Sequence, residues 1–207
     1  CMPVYFIICT FGELMAGGAS VMSARAAGQE KMEEAASHYH AALTVCTVFG
    51  VLFTIAGCIL CRPAARLLSQ GGALEQYVYA YCFVTMLGVL PTVLSYLPLY
   101  YLQLDGKTHE ITVMIRIMII TDILLDFVFL YVFPFGIYGA AAASLTASLL
   151  SSIYGMISLE RGYSNYHFRF IKAGMGQIKE IVRYGSPPAF GNFADAMKLL
   201  LGEAGAA

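Results

Sequence analysis

The stretch Ile111–Pro134, ITVMIRIMIITDILLDFVFLYVFP, decides how this chain is read. A bilayer's hydrocarbon core, ~30 Å thick, is crossed by about 20 helical residues at 1.5 Å each, so this run is long enough to span it. Yet Asp122 and Asp126 sit in its middle. Four residues apart, they share one helix face. A carboxylate at membrane depth is costly, and it normally faces a bundle interior or a wet cavity on an ion or substrate path. The pair therefore points to a transporter rather than to a membrane anchor. The competing reading is a structural pair satisfied by neighbouring hydroxyls or by Arg116. Arg116 is six residues from Asp122, which turns it away from that face. It also lies about 8 Å from the cytoplasmic end, within snorkelling reach.

Composition carries the same message along the whole chain. Hydrophobic residues make up 59% and charged residues only 12%, with a mean hydropathy of +0.71. A soluble domain carries about a quarter charged residues. The net charge of -1 lacks the basic footprint of a nucleic-acid binder. The opening run has no basic segment before it and no cleavage site, which argues against a signal peptide. Six cysteines lie within or beside apolar runs, and the Cys58/Cys61 pair reads as small apolar helix residues. A redox or zinc site would need a soluble context or a second pair.

Apolar stretches recur with short breaks, and they predict an all-α polytopic membrane protein with about six spans. The expected helices are 2–24, 41–61, 78–103, 111–134, 137–159 and 187–204. The breaks are Gly28–Ser37, Cys61–Gly72, Leu104–His109 with its Asp-Gly turn signal, Phe133–Gly139, and Arg161–Ser186. The last break predicts an amphipathic surface helix around Ile171–Tyr184. Counting Arg25, just before the first break, eight of the twelve Lys and Arg residues fall in the first, third and fifth breaks and two in the second and fourth. The odd breaks are therefore cytoplasmic. The first helix then runs from outside inward, and a cytoplasmic N-terminus requires a further helix upstream. The expectation is a piece of a longer protein.

Other residues invite chemistry. Ser144 follows the small-residue run Gly139–Ala143 and, counted from the short link, sits at the depth of Asp126, where it could hydrogen-bond that carboxylate or share a cation. Asp195 is a further carboxylate in an apolar run, and Lys198, three residues on, competes for it as an ion-pair partner. Glu13 lies midway along the first run. Pro91 and Pro98 fall inside the third helix and are expected to bend it. His38, His40, His109 and His167 all lie in cytoplasmic breaks, without zinc-ligand spacing. No nucleophile–His–carboxylate set appears within the spans, which counts against a hydrolase; neither a metal nor a cofactor is expected.

Taken together, the motifs resemble the multidrug and toxic compound extrusion (MATE) transporters, antiporters built from two six-helix bundles. GGASVMSARAAGQEKMEEA (Gly17–Ala35) is similar to that family's second helix and following loop, and PTVLSYLPLYYLQLDGKT (Pro91–Thr108) to its fourth helix. DILLDFVFLYVFPFGIYGAAAAS (Asp122–Ser144) resembles the fifth-to-sixth helix signature, N-x-x-x-D followed by G-x-x-G-A-A-x-A-T. GSPPAFGNFAD (Gly185–Asp195) resembles the start of the seventh helix. The resemblance implies an N-terminal bundle over 1–160 lacking its first helix, a cytoplasmic linker over 161–186, and the start of a second bundle over 187–207.

It also implies that Asp126 is the cation-site aspartate, that Asp122 stands at the usual asparagine and Ser144 at the usual threonine, and that Asp195 is a possible coupling residue. The extra charge at Asp122 bears on ion selectivity. The implied activity is H⁺- or Na⁺-coupled export of organic cations, drugs or toxic metabolites across the cell membrane. The implied partners are the lipid bilayer, a small cationic substrate and the rest of the second bundle. A lipid or lipid-linked oligosaccharide flippase of the same superfamily is the alternative, although only Arg116 and Lys198 are available to hold a phosphate. A non-transporting scaffold is a third reading, under which alanine at Asp122 and Asp126 would be silent. Alone, this length of chain is expected to insert into membranes without exporting.

The charge bias makes a direct prediction about topology. Single cysteines on a cysteine-free background at positions 107 and 172 are expected to be labelled only from the cytoplasm, and one at position 70 only from outside. The opposite pattern would overturn the helix count.

Overall fold

The computed structural model describes residues 2–69, 75–132, 136–162 and 176–186, and all of its regular structure there is helical. In chain order the elements are α1 (Met2–Gly28), α2 (Met32–Ser69), α3 (Glu75–Leu87), α4 (Val89–Leu104), α5 (Thr108–Phe127), a π-helical turn (Val128–Val132) and α6 (Ile137–Gly162). A further helix, α7, covers 176–186. The expected last helix at 187–204, with Asp195 and Lys198, lies outside the described residues, as does 163–175 of the linker.

Three stretches are long and apolar enough to cross a membrane: Met32–Pro63, Val78–Leu104 and Tyr138–Arg161. They correspond to the expected helices at 41–61, 78–103 and 137–159. At 27 and 20 residues, α1 and α5 are also of crossing length, although α5 interrupts its apolar run with Arg116, Asp122 and Asp126.

The boundaries differ from the sequence reading for local reasons. The first break shrinks to a turn at 29–31, because its Glu, Lys and Ala residues are good helix formers. That turn closes α1 with Glu30 at φ 62°, the amide of Lys31 reaching back to the carbonyl of Ala26 (3.0 Å). Residues 61–69 belong to α2, which continues through Pro63 instead of ending at it. Conversely, the expected single helix at 78–103 is two helices parted at Gly88. Pro91 is the third residue of α4 and has no amide to offer the carbonyl of Leu87, so the ladder restarts there, where a first-turn proline is tolerated. Thr92 joins the restart with both its amide (3.1 Å) and its hydroxyl (2.8 Å) on the carbonyl of Gly88. The Asp-Gly turn is as expected. Gly106 has φ +69°, and the amide of Lys107 bonds the carbonyl of Leu102 at 2.9 Å, closing α4.

Packing closes the bundle at the end where α1 turns into α2 and α4 into α5. α1 packs on α2 and α4, α2 on α3 and α4, and α6 on α3, α4 and α5. At this end Tyr39 and Tyr101, both fully buried, meet edge to face with centroids 4.9 Å apart. Ser23 donates to the carbonyl of Ala35 (2.9 Å), so the Tyr101 hydroxyl is the donor in its 2.7 Å bond to Ser23. Cys46, Cys61 and Cys82 are core packing residues. The N-terminal end of α5 is tied to α6 by Tyr154 and Ser158, whose hydroxyls donate to Glu110 Oε2 at 2.6 and 3.3 Å. The Tyr154 bond, chiefly, holds the half-buried Glu110 carboxyl below the usual carboxylate range.

The expected surface helix near 171–184 is present as α7 but is not peripheral. Ile181 is fully buried, and α7 crosses α1 with backbones in contact at Gly18 and Gly185. A β-carbon on Gly18 would collide with the carbonyl oxygen of Ile181, and one on Gly185 with that of Leu14.

Gly155 is the close-approach point of α4, α5 and α6. A β-carbon there would lie 2.8 Å from Pro98 and 2.9 Å from the sulfur of Met114. Gly155→Val is therefore expected to cost about 1–3 kcal/mol through overpacking, read as a lower thermal unfolding midpoint in detergent. Gly176, which has open space around its α-carbon, is the control position, where valine is expected to change that midpoint far less.

Candidate cation site

α5 is an edge helix of the described bundle, packed on α6 and, more lightly, on α4. Among its residues only Met114 is buried. Asp122 and Asp126 are both half-buried near its C-terminal end, and the α-helix gives way to the π turn two residues after Asp126. Such turns occur often at functional sites.

The two carboxylates are treated differently by their surroundings. Ser144 donates its hydroxyl to Asp122 Oδ1 at 3.0 Å. The depth count had paired Ser144 with Asp126. In the structure Ser144 comes level with Asp122 instead. Asp126 Oδ1 is sealed from solvent and has no hydrogen-bond partner among the described residues. Arg116 forms no ion pair with either aspartate among the described residues. A buried carboxylate oxygen without a donor is unstable as an anion. It is suited to a proton or to a cation that brings its own charge.

Ser144 faces a second feature as well. It lines a cavity of about 450 Å³ between α1, α3, α4 and α6, together with Thr85, Thr92 and Ser148 and a largely apolar wall that includes Ile8, Val89 and Leu145. Thr85, Thr92 and Ser148 each donate to the carbonyl four residues back, at 2.7, 2.8 and 2.8 Å. Their protons are thus engaged, and what they offer the cavity is lone pairs. Ser144 is the hydroxyl shared between the carboxylate pair and this acceptor-lined space. Thr85, Gly88 and Thr92 escaped the sequence reading, although their three- and four-residue spacing puts them on one face. Glu13 is half-buried on α1. Asp195 lies outside the described residues.

With the fold and the carboxylate geometry in hand, the comparisons with known proteins agree. The MatE family model matches residues 1–132. No curated protein matches. Solved structures do. One is an inward-facing conformation of a multidrug resistance MATE family transporter of the MOP superfamily, 20% identical with a TM-score of 0.81, covering 94% of this chain and 45% of that one. An outward-facing conformation of such a transporter is 22% identical with a TM-score of 0.82, covering 96% and 45%. A MOP superfamily transporter from Pyrococcus furiosus Vc1, described as having a binding pocket of reverse polarity, gives 22%, 0.82, 96% and 45%. The chain thus spans about 45% of the length of these transporters. At such identities the likeness is one of fold, and it includes conformations open to either side. The helices match the transporter fold along nearly the whole chain and the family model covers well over half of it: this chain belongs to the MatE family.

Proposed function

We propose that this protein is part of a cation-coupled antiporter that exports small organic, mainly cationic compounds across the cell membrane. The observation that carries the reading is the buried, unpartnered Oδ1 of Asp126 one helical turn from a second carboxylate. An inward-moving H⁺ or Na⁺ binds at Asp126, with Asp122 and Ser144 assisting. Occupation removes a charge from the bundle. That changes which of the outward- and inward-open states is favoured, because the ion binds the two states unequally. The likeness of this bundle to both kinds of conformation, at nearly equal TM-scores, supports a bundle that moves as a unit. The substrate lies between this bundle and the second one, and Asp195 is a further coupling carboxylate on that second side.

Asp126→Asn in the whole transporter is expected to abolish ion-driven export from everted vesicles while leaving membrane insertion intact. Both a proton and a sodium gradient should be imposed. Export retained at the parent rate under either gradient would refute the assignment.

The partner of Ser144 is separately testable by infrared spectroscopy. Ser144→Ala is expected to shift a carboxylate stretching band, because a hydrogen bond to an ionised oxygen is lost. That band is expected to be absent from Asp122→Asn and present in Asp126→Asn. The reverse assignment would put Ser144 on Asp126.

A further inference from the structure

α2 is too long to lie wholly in the membrane. Met32–Pro63 is 32 residues, about 48 Å of helix against a core of about 30 Å. Its first turns, with Glu33, Glu34 and the preceding Lys31, therefore project into the cytoplasm, and His38 belongs to this projecting end. α7 docks there. Besides the Gly18–Gly185 crossing and the buried Ile181, Arg25 stacks over the ring of Tyr184 (4.9 Å to its centroid) and Gln177 donates to Ser37 (3.1 Å).

Between α1, α2 and α7 is a cavity of about 370 Å³ lined by Arg25, Glu34, His38, Glu180 and Tyr184 among others. His38 is only 5% exposed, and its Nδ1 is sealed from solvent with no hydrogen-bond partner among the described residues. This is a titratable ring placed at the seam between an element of the bundle and the segment that leads out of it.

We propose that His38 is a proton-binding site that controls the docking of α7: the neutral imidazole permits docking, and the imidazolium expels the helix. The imidazolium carries an N–H on both nitrogens. In the docked arrangement the one on Nδ1 would be a charged donor buried with no acceptor, which is strongly unfavourable. The charged and titratable groups around the cavity do not cancel this. Arg25 on α1 adds like charge. Glu34 on α2 is already paired with Lys31 at 3.5 Å, and Glu180 on α7 is exposed to solvent. Tyr184 supplies a ring face that Arg25 already occupies. Burial accordingly holds the His38 imidazole below the ordinary histidine range, against the upward pull of Glu34 and Glu180. A base lowered on docking stabilises the docked form fully above its undocked pKa. That contribution is lost as pH falls through about 6.5. Acidification of the cytoplasmic side therefore releases α7, independently of the ion carried at Asp126.

The test is an electron–electron distance measurement on the membrane-reconstituted protein, with spin labels at the exposed positions Glu33 and Lys179. Spectra are taken at about pH 8 and about pH 5.5, on either side of the ordinary histidine value. A second pair, at Glu33 and Gln103, reports the bundle without α7. The first pair is expected to lose its short-distance population on acidification. The docked-to-undocked ratio should fall by up to about tenfold at pH 5.5, one unit below the ordinary histidine value, and the second pair should not change. His38→Gln is expected to hold the short distance at both pH values, and His38→Asn serves if glutamine disturbs the seam. An unchanged distribution in the parent protein would overturn the proposal. So would a pH response that survives in the His38 variant, or one shared by the control pair.

Discussion

A carboxylate in hydrocarbon needs an answer to its charge, and the arrangement around α5 is a set of partial answers. Asp122 is answered by the hydroxyl of Ser144, which α6 brings alongside because the two helices run antiparallel from a short link. Asp126 is left unanswered on one oxygen. A bundle built only for stability would gain by supplying a donor there, since an unpartnered buried polar atom costs about 1–3 kcal/mol. An oxygen whose partner comes and goes fits a site that loads and unloads an ion. The cavity hydroxyls follow the same logic: with their protons committed to their own helices, they present only acceptors.

The charged chemistry was legible in the sequence because it breaks a strong pattern. Two aspartates in an apolar run are visible without a structure, and so is a serine after a run of small residues. The identity of the serine's partner was not, because counting residues from a link does not fix the level at which two packed helices face each other. Prolines were poor guides to boundaries. Pro63 fell in an expected break and is inside α2, whereas Pro91 looked like a kink and helps to split one expected helix in two. What decides is where the lost amide falls relative to a helix end, and that depends on packing. His38 was read as a residue of a solvated break. It is buried because α7 returns from more than a hundred residues away to cover it, a contact no local pattern encodes.

The same limit applies to the glycines. Gly18, Gly155 and Gly185 are ordinary in composition for a membrane helix, yet each marks a point where another segment comes too close for a β-carbon. Gly18 and Gly185 set the distance between α1 and α7, and Gly155 that of α6 from α4 and α5. Small residues allow close helix approach in membranes, where dispersion and hydrogen bonding drive association.

The length of α2 has a mechanical meaning. A helix that protrudes from the bilayer at its inner end behaves as a lever with its fulcrum in the membrane. For a rod of about 48 Å, a tilt of only 10° displaces one end relative to the other by about 8 Å. Whatever pushes on the projecting turns that carry Glu34 and His38 is thus magnified at the opposite leaflet, without bending the rod and without any signal passing through the ion site.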